Sequence, residues 1–143
     1  ILRIFNTYGP YMAHDDGRVV SNFIMQALRN ENITIYGSGS QTRSLCFVDD
    51  LVNGIMQIAK LKNKNTISNI GNDKEVSILK IAELIIELTN SNSILDFYPL
   101  PQNDPLRRRP DLERIKKLIS WSNLTNPEVG IKKTIKYFKS IDV

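Results

Sequence analysis

Three consecutive arginines, Arg107-Arg108-Arg109, sit in a loop flanked by prolines. Planar guanidinium groups grip phosphate or carboxylate oxygens in pairs, so this run suits an anionic ligand. On composition alone, a solvated basic loop is the favoured reading. A second candidate is Gly37-Ser38-Gly39-Ser40-Gln41-Thr42-Arg43, glycine-rich with a basic end. It can lie close to a phosphate, or it can be a plain hairpin. It is not a Walker loop, because no Gly-Lys-Ser/Thr follows. It is not a dinucleotide fingerprint, because Gly-x-Gly-x-x-Gly ahead of a helix is missing. Arg18 stands where a helix should open, and a cation there opposes the helix dipole. That choice marks either a function or simple exposure. Tyr36 closes an apolar run just before Gly37, placed to stack on a base or to cover a core edge.

Other chemistries find little support. His14 is the sole histidine and has no partner at metal-ligand spacing. Asp15-Asp16-Gly17 lacks the rest of a calcium loop. Cys46, the single cysteine, lies in Leu45-Cys46-Phe47-Val48 and reads as a small core residue. One cysteine forms no internal disulfide, and a reducing cytoplasm is the default setting.

The elements that must position these residues follow from apolar spacing. Leu2–Asn6 reads as a short buried strand, ended by the turn Asn6-Thr7-Tyr8-Gly9-Pro10. Val20, Phe23, Ile24, Ala27 and Leu28 recur at helical spacing. Ile33–Tyr36 and Ser44–Val48 are strands, and Asp49 or Asp50 should cap a helix facing inward through Leu51, Ile55, Ile58 and Ala59. Thr66–Ile70 is a strand. Ser77 caps a helix with Ile78, Ile81, Ala82 and Ile85 inward, and Ile94–Tyr98 is a strand. Asp111 should cap a short helix. Asn126-Pro127 opens the last one, with proline at the first helical position. Strands alternating with helices make the class α/β. The chain opens directly on a strand and supplies few strands for a parallel sheet, so we expect that the sheet's N-terminal half lies outside this sequence.

Across the 143 residues, 41% are hydrophobic and 24% charged, a balance typical of a folded globular domain. No run approaches the roughly 18 apolar residues of a membrane helix, and no targeting segment is visible. The net charge is +4, with lysine-rich stretches at Lys60–Lys64 and Lys132–Lys139 that read as solvated faces. This excess is modest, aromatics are not interleaved with arginines, and no nucleic-acid-binding signature is present.

Taken in order, the segments resemble the extended short-chain dehydrogenase/reductase family, and within it the UDP-glucuronate decarboxylase branch. The resemblance rests on Arg3-Ile-Phe-Asn-Thr-Tyr-Gly-Pro10, Asp16-Gly-Arg-Val-Val-Ser-Asn-Phe23, Ile35-Tyr-Gly37 with Gln41-Thr-Arg-Ser44, and Val48-Asp-Asp-Leu51. Asn69-Ile-Gly-Asn72, Asp104-Pro105 with Arg108-Arg-Pro-Asp111, Trp121 and Gly130–Phe138 complete it. The turn and the Tyr-Gly…Gln-x-Arg loop are common to dehydratases and epimerases of the family, while the Asp16–Phe23 run and the Arg108-Arg-Pro-Asp111 loop are more specific to the decarboxylases.

The resemblance implies that residues 1–143 are the C-terminal, substrate-binding portion of a Rossmann-type enzyme: the last strands of its parallel sheet plus a small substrate lobe. It implies NAD as cofactor and a UDP-sugar as ligand; the unpaired edge of the Leu2–Asn6 strand separately implies a homodimer or other self-association. Bound NAD would oxidise the sugar at C4, carbon dioxide would leave from the resulting β-keto acid, and the hydride would return to give UDP-xylose. Asn6 would touch the sugar or diphosphate, and Thr7 would lie near the cofactor. Arg18 would face the reacting end and Tyr36 the uracil. Gln41 and Arg43 would hold ribose or phosphate, and Arg108 the diphosphate. The family's Tyr-x-x-x-Lys pair has no match here, so the chain alone is expected to be inactive. Two departures are Tyr11, where the family usually has arginine, and Ala13, which displaces the family's histidine to His14.

Overall fold

A computed structural model describes residues 1–61, 65–122 and 124–141. The lysine-rich reading of Lys60–Lys64 therefore lies mostly outside the described residues. The element order is β1 (Leu2–Ile4), β2 (Thr7–Tyr8), α1 (Val19–Leu28), β3 (Ile33–Tyr36), β4 (Thr42–Ser44), β5 (Cys46–Phe47) and α2 (Val48–Ala59). Then come β6 (Ser68–Ile70), β7 (Glu75–Ser77), α3 (Ile78–Thr89), β8 (Leu95–Tyr98), β9 (Arg107–Arg108), α4 (Glu113–Leu118) and α5 (Pro127–Ser140).

Parallel pairing dominates. β1 pairs with β6, β2 with β5 and β3 with β8, each parallel. β4 lies between β7, antiparallel, and β9, parallel. The first stretch of chain changes neighbour midway: the Phe5 amide donates to the Ile70 carbonyl on one side, and the Asn6 carbonyl accepts from the Cys46 amide. Asn6 thus sits where adjacent strands diverge, and such a divergence opens a crevice at strand ends.

Two apolar clusters hold the elements. The larger gathers Phe23 and Ile24 of α1, Ile81 and Ile85 of α3, and Ile131, Ile135 and Phe138 of α5 around Ile33, Ile35 and Phe47. The smaller joins Cys46, Leu51, Ile70, Leu112, Ile115 and Trp121. The Trp121 indole N–H donates to the Gly71 carbonyl at 2.9 Å. This tethers the segment after α4 to the end of β6.

Several local expectations need correction. Thr7–Tyr8, read as part of a turn, is a strand, because the backbone there pairs with Cys46–Phe47. Ser44–Val48 is not one strand: pairing partners change at Leu45, and Val48 already belongs to α2. Neither Asp49 nor Asp50 caps α2, whose boundary residue is Phe47. Asp50 instead accepts from the amide and hydroxyl of Thr125 at 2.8 and 3.0 Å. Ala59 is exposed, not inward. Asp111 does serve α4, accepting from the Glu113 amide at 2.9 Å, with Leu112 at the boundary. Ser77 and Asn126 cap as expected, each accepting a first-turn amide.

Gly54 shows how tightly the smaller cluster is closed. A Cβ there would strike the Trp121 ring and come within 2.7 Å of Ile70 Cδ1. Overpacking of this kind costs about 1–3 kcal/mol. Gly54→Ala should therefore lower the melting temperature by several degrees in a calorimetric scan, and an unchanged melting temperature would contradict this packing.

Candidate functional site

A cleft of about 700 Å³ opens beside the β1–β2 junction. Small-molecule sites usually fall at about 300–1,000 Å³. Asn6 and Thr7 form its floor, Arg18 and Asn22 its α1 side, Tyr36 and Gln41 its β3–β4 side, and Arg43 and Arg108 its β4–β9 side. The seven residues given a binding role by the family resemblance all line this cavity: Asn6, Thr7, Arg18, Tyr36, Gln41, Arg43 and Arg108. Among its charged lining residues, three arginines face one carboxylate, that of Asp104. The cleft therefore favours an anion.

The arginine run is sorted by strand alternation. Successive side chains on a strand point to opposite faces. Arg107 turns to Glu75, with Nε donating to Oε1 at 2.7 Å and Nη2 donating to Oε2. Arg109 also lies toward Glu75, at 3.9 Å. Arg108 turns the other way, into the cleft, where Nη1 donates to Asn6 Oδ1 at 3.5 Å. Glu75 additionally accepts from the Thr42 hydroxyl at 2.7 Å. The Arg107 fork, more than any other contact, holds the Glu75 carboxyl down at about 2.

Each remaining side chain has an identifiable hold. Arg18 precedes α1, and its unfavourable position is offset by Asp16. The Asp16 carboxylate pairs with Arg18 Nε at 3.2 Å and accepts from the Arg18 amide at 3.0 Å. An acid beside a helix N-terminus is the favourable arrangement. Arg43 is engaged: Nη2 donates to both oxygens of Asp104, and Nη1 to the carbonyls of Thr42 and Pro105. Gln41 is buried and donates to the Tyr36 carbonyl at 2.6 Å, closing the Gly37–Ser40 turn. Gly37 and Gly39 have φ of +68° and +74°, so the turn needs glycine at both positions. Tyr36 remains half exposed, 6.2 Å from the Tyr98 ring. The Thr7 hydroxyl donates to the Phe5 carbonyl at 2.8 Å.

Acid–base or nucleophilic groups are scarce here. Burial pushes the Cys46 thiol up to about 12, which leaves it unreactive at neutral pH. Burial likewise raises the Tyr8 phenol well above its ordinary 10, and its hydroxyl meets the Pro127 carbonyl at 3.3 Å. His14 is exposed and does not line the cleft. Among the described residues no group of His, Cys, Asp or Glu could hold a metal ion, and no helix is long and apolar enough to cross a membrane.

Sequence reasoning assigned no role to Asp104, Asn22, Gln26, Thr34 or Glu75. Gln26 reads Thr34 twice: Nε2 donates to the Thr34 hydroxyl at 2.9 Å, and Oε1 accepts its amide at 3.2 Å. Such partners are joined only by tertiary pairing, and no local pattern announces them.

Residues 1–71 match the model of the NAD dependent epimerase/dehydratase family. The chain is 51% identical over 140 residues to UDP-glucuronic acid decarboxylase 1 of Danio rerio, covering 96% of this chain and 33% of that protein. It is 43% identical over 139 residues to UDP-glucuronic acid decarboxylase 2 of Arabidopsis thaliana, covering 97% and 31%. The chain belongs to this NAD dependent epimerase/dehydratase family. Solved members share its fold. The UDP-glucose 4-epimerase of Thermotoga maritima, with UDP-glucose, superposes at a TM-score of 0.90 with 28% identity, covering 98% of this chain and 45% of that one. The UDP-glucuronic acid 4-epimerase of Bacillus cereus, with UDP-glucuronic acid and NAD, gives 0.89 and 25% over the same shares. The fold is thus a Rossmann-type α/β arrangement, and the chain spans about a third of the length of these decarboxylases.

The Glu75–Arg107 pair makes a pH-dependent contribution in this family member. A glutamate ordinarily titrates near 4.5 and here near 2, so its stabilising effect is complete above 4.5 and lost as pH falls through 2. The melting temperature of the native chain should exceed that of Glu75→Gln at pH 7, and the gap should close between pH 4.5 and 2. A gap that persists at pH 2 would contradict the pairing.

Proposed function

We propose that this chain is the C-terminal, substrate-binding portion of an NAD-dependent UDP-glucuronate decarboxylase, which converts UDP-glucuronate to UDP-xylose and carbon dioxide. The observation that carries the reading is the convergence of Asn6, Arg18, Tyr36 and Arg108 on one cationic cleft. Decarboxylases named for this substrate are similar to nearly the whole chain. Arg108, whose guanidinium makes only the long hydrogen bond to Asn6 among the described residues, supplies a forked donor for the diphosphate. Tyr36 lies against the uracil, Asn6 reaches the sugar or diphosphate, and Arg18 faces the sugar carboxylate. Gln41 shapes the nucleotide end through the turn it closes.

Bound in the complete enzyme, NAD would supply reversible hydride transfer at the sugar. This chain's own residues provide little for that cofactor. Thr7 is the one assigned contact, and the glycine-rich turn Gly37–Ser40 leads into a strand, not into the helix N-terminus that cradles a pyrophosphate. The chain by itself is inactive in this reading. A buried, unreactive single cysteine is compatible with a reducing cytoplasm.

Epimerisation is the second reading, favoured by the epimerases among the structural neighbours. Supplying UDP-glucuronate to the complete enzyme separates the two: carbon dioxide release supports decarboxylation, and an epimeric UDP-sugar acid without gas release supports the alternative. For the grip itself, Arg108→Ala removes charge-assisted hydrogen bonds worth about 1.5–3 kcal/mol. Calorimetry should show UDP affinity falling roughly ten- to a hundredfold, and undiminished affinity would remove Arg108 from the site. The edge of β1 opposite β6, with Ile1 and Ile4 exposed, is also proposed to pair with another strand. Light scattering should then report self-association, and a monodisperse monomer would contradict it.

A further inference from the structure

We propose that Tyr98 is a second aromatic contact for the nucleotide base, placed beside Tyr36 and held there by Asp96. This role rests on the reading of the cleft as a UDP site with the base at Tyr36. β3 and β8 pair in parallel, with Thr34 opposite Asp96 and Tyr36 opposite Tyr98. Alternate side chains on a strand share a face. Ile33 and Ile35 of β3 are fully buried in the larger apolar cluster, while Thr34 and Tyr36 line the cleft. β8 therefore carries Asp96 and Tyr98 along that same face and extends the base end of the cleft past Tyr36. The tyrosine rings stand 6.2 Å apart and are tilted by 53°. Each tyrosine is 47% exposed, so aromatic surface is left open on both.

Both rings are anchored before any ligand arrives. The Tyr98 hydroxyl donates to Asp96 Oδ2 at 2.9 Å, which sets the direction of the ring. The Tyr98 carbonyl accepts from the Gly37 amide at 2.8 Å, and the Tyr36 carbonyl accepts from Gln41 Nε2 at 2.6 Å. The backbones that carry the rings are thus tied to the Gly37–Ser40 turn and its closing glutamine. Side chains ordered in advance lose less freedom on binding. Rings inclined at this angle form an open corner, not a closed stack. A flat base lying on the face of Tyr36 turns an edge toward Tyr98, the edge-to-face arrangement that aromatic groups favour. The division is therefore a face from β3 and a flank from β8, with the Asp96 carboxylate keeping the flanking ring in place.

Calorimetry with UDP and with inorganic pyrophosphate, which offers the phosphates without a base, tests this role. Tyr98→Leu keeps an apolar side chain on the strand pair and removes the ring. It should weaken UDP binding about three- to tenfold, the size of one aromatic pair, and leave pyrophosphate binding unchanged. Tyr98→Phe keeps the ring and should lose less UDP affinity than Tyr98→Leu. Full UDP affinity in Tyr98→Leu overturns the proposal. So does an equal loss for UDP and pyrophosphate, which marks a general disturbance of the fold, and so does a Tyr98→Phe loss as large as that of Tyr98→Leu. Tyr36→Leu separates this role from the reading beneath it. If Tyr36→Leu weakens UDP binding and Tyr98→Leu does not, the base meets Tyr36 alone and only the role of Tyr98 fails. If neither variant weakens it, or the native chain binds no UDP, the base reading fails and the role of Tyr98 with it. The double variant should bind UDP more weakly than either single one. A double variant no weaker than Tyr36→Leu would make Tyr98 a prop for Tyr36 and overturn the contact.

Discussion

The three-residue strand β4 is paired on both edges, and the cleft depends on that double pairing. On one side β7 brings Glu75, and on the other β9 brings the arginine run. A strand this short has little stability of its own. Its side chains reinforce it across both edges, through Thr42 to Glu75 and through Arg43 to Asp104. Because the pleat alternates, the same pairing that aims Arg107 at Glu75 aims Arg108 at Asn6. A shift of register by one residue would exchange these faces and turn the free cation away from the cavity.

Electrostatics explains why the cationic wall is tolerable without a ligand. Arg18 has Asp16, Arg43 has Asp104, and Arg107 with Arg109 has Glu75. These partners differ in surroundings. The Arg43 pair is largely screened from water, so its interaction is stronger than that of the exposed Arg18 pair. Arg108 alone faces the cavity with no carboxylate within salt-bridge reach among the described residues. In the proposed reading, a dianionic diphosphate would complete an arrangement that the protein leaves one acceptor short.

Much of this fold was legible from local pattern. The helical faces built on Phe23 and Ile24 and on Ile81 and Ile85 followed from their spacing, and the caps at Ser77 and Asn126 from their residue types. The strands β7 and β9 were not legible. Arg107–Arg108 and Glu75–Ser77 carry no alternating apolar signature, and only their alignment against β4 makes them strands. Thr7–Tyr8 was hidden for the same reason inside what looked like a turn. Asp50 misled because an acid at a helix start resembles a cap, while its partner Thr125 lies 75 positions away. For the site, the identity of the lining residues came through family resemblance, since composition left the arginine loops undecided. The engagement of Arg43 by Asp104 required the tertiary structure, because 61 residues separate them.

The central claim is that one cleft receives the UDP moiety with Arg108 on its diphosphate. The most direct measurement is a crystal structure of the chain soaked with UDP. Diphosphate oxygens should lie within hydrogen-bonding distance of the Arg108 guanidinium, with uracil beside Tyr36. UDP bound elsewhere on the molecule, or a diphosphate that makes no contact with Arg108, would contradict it.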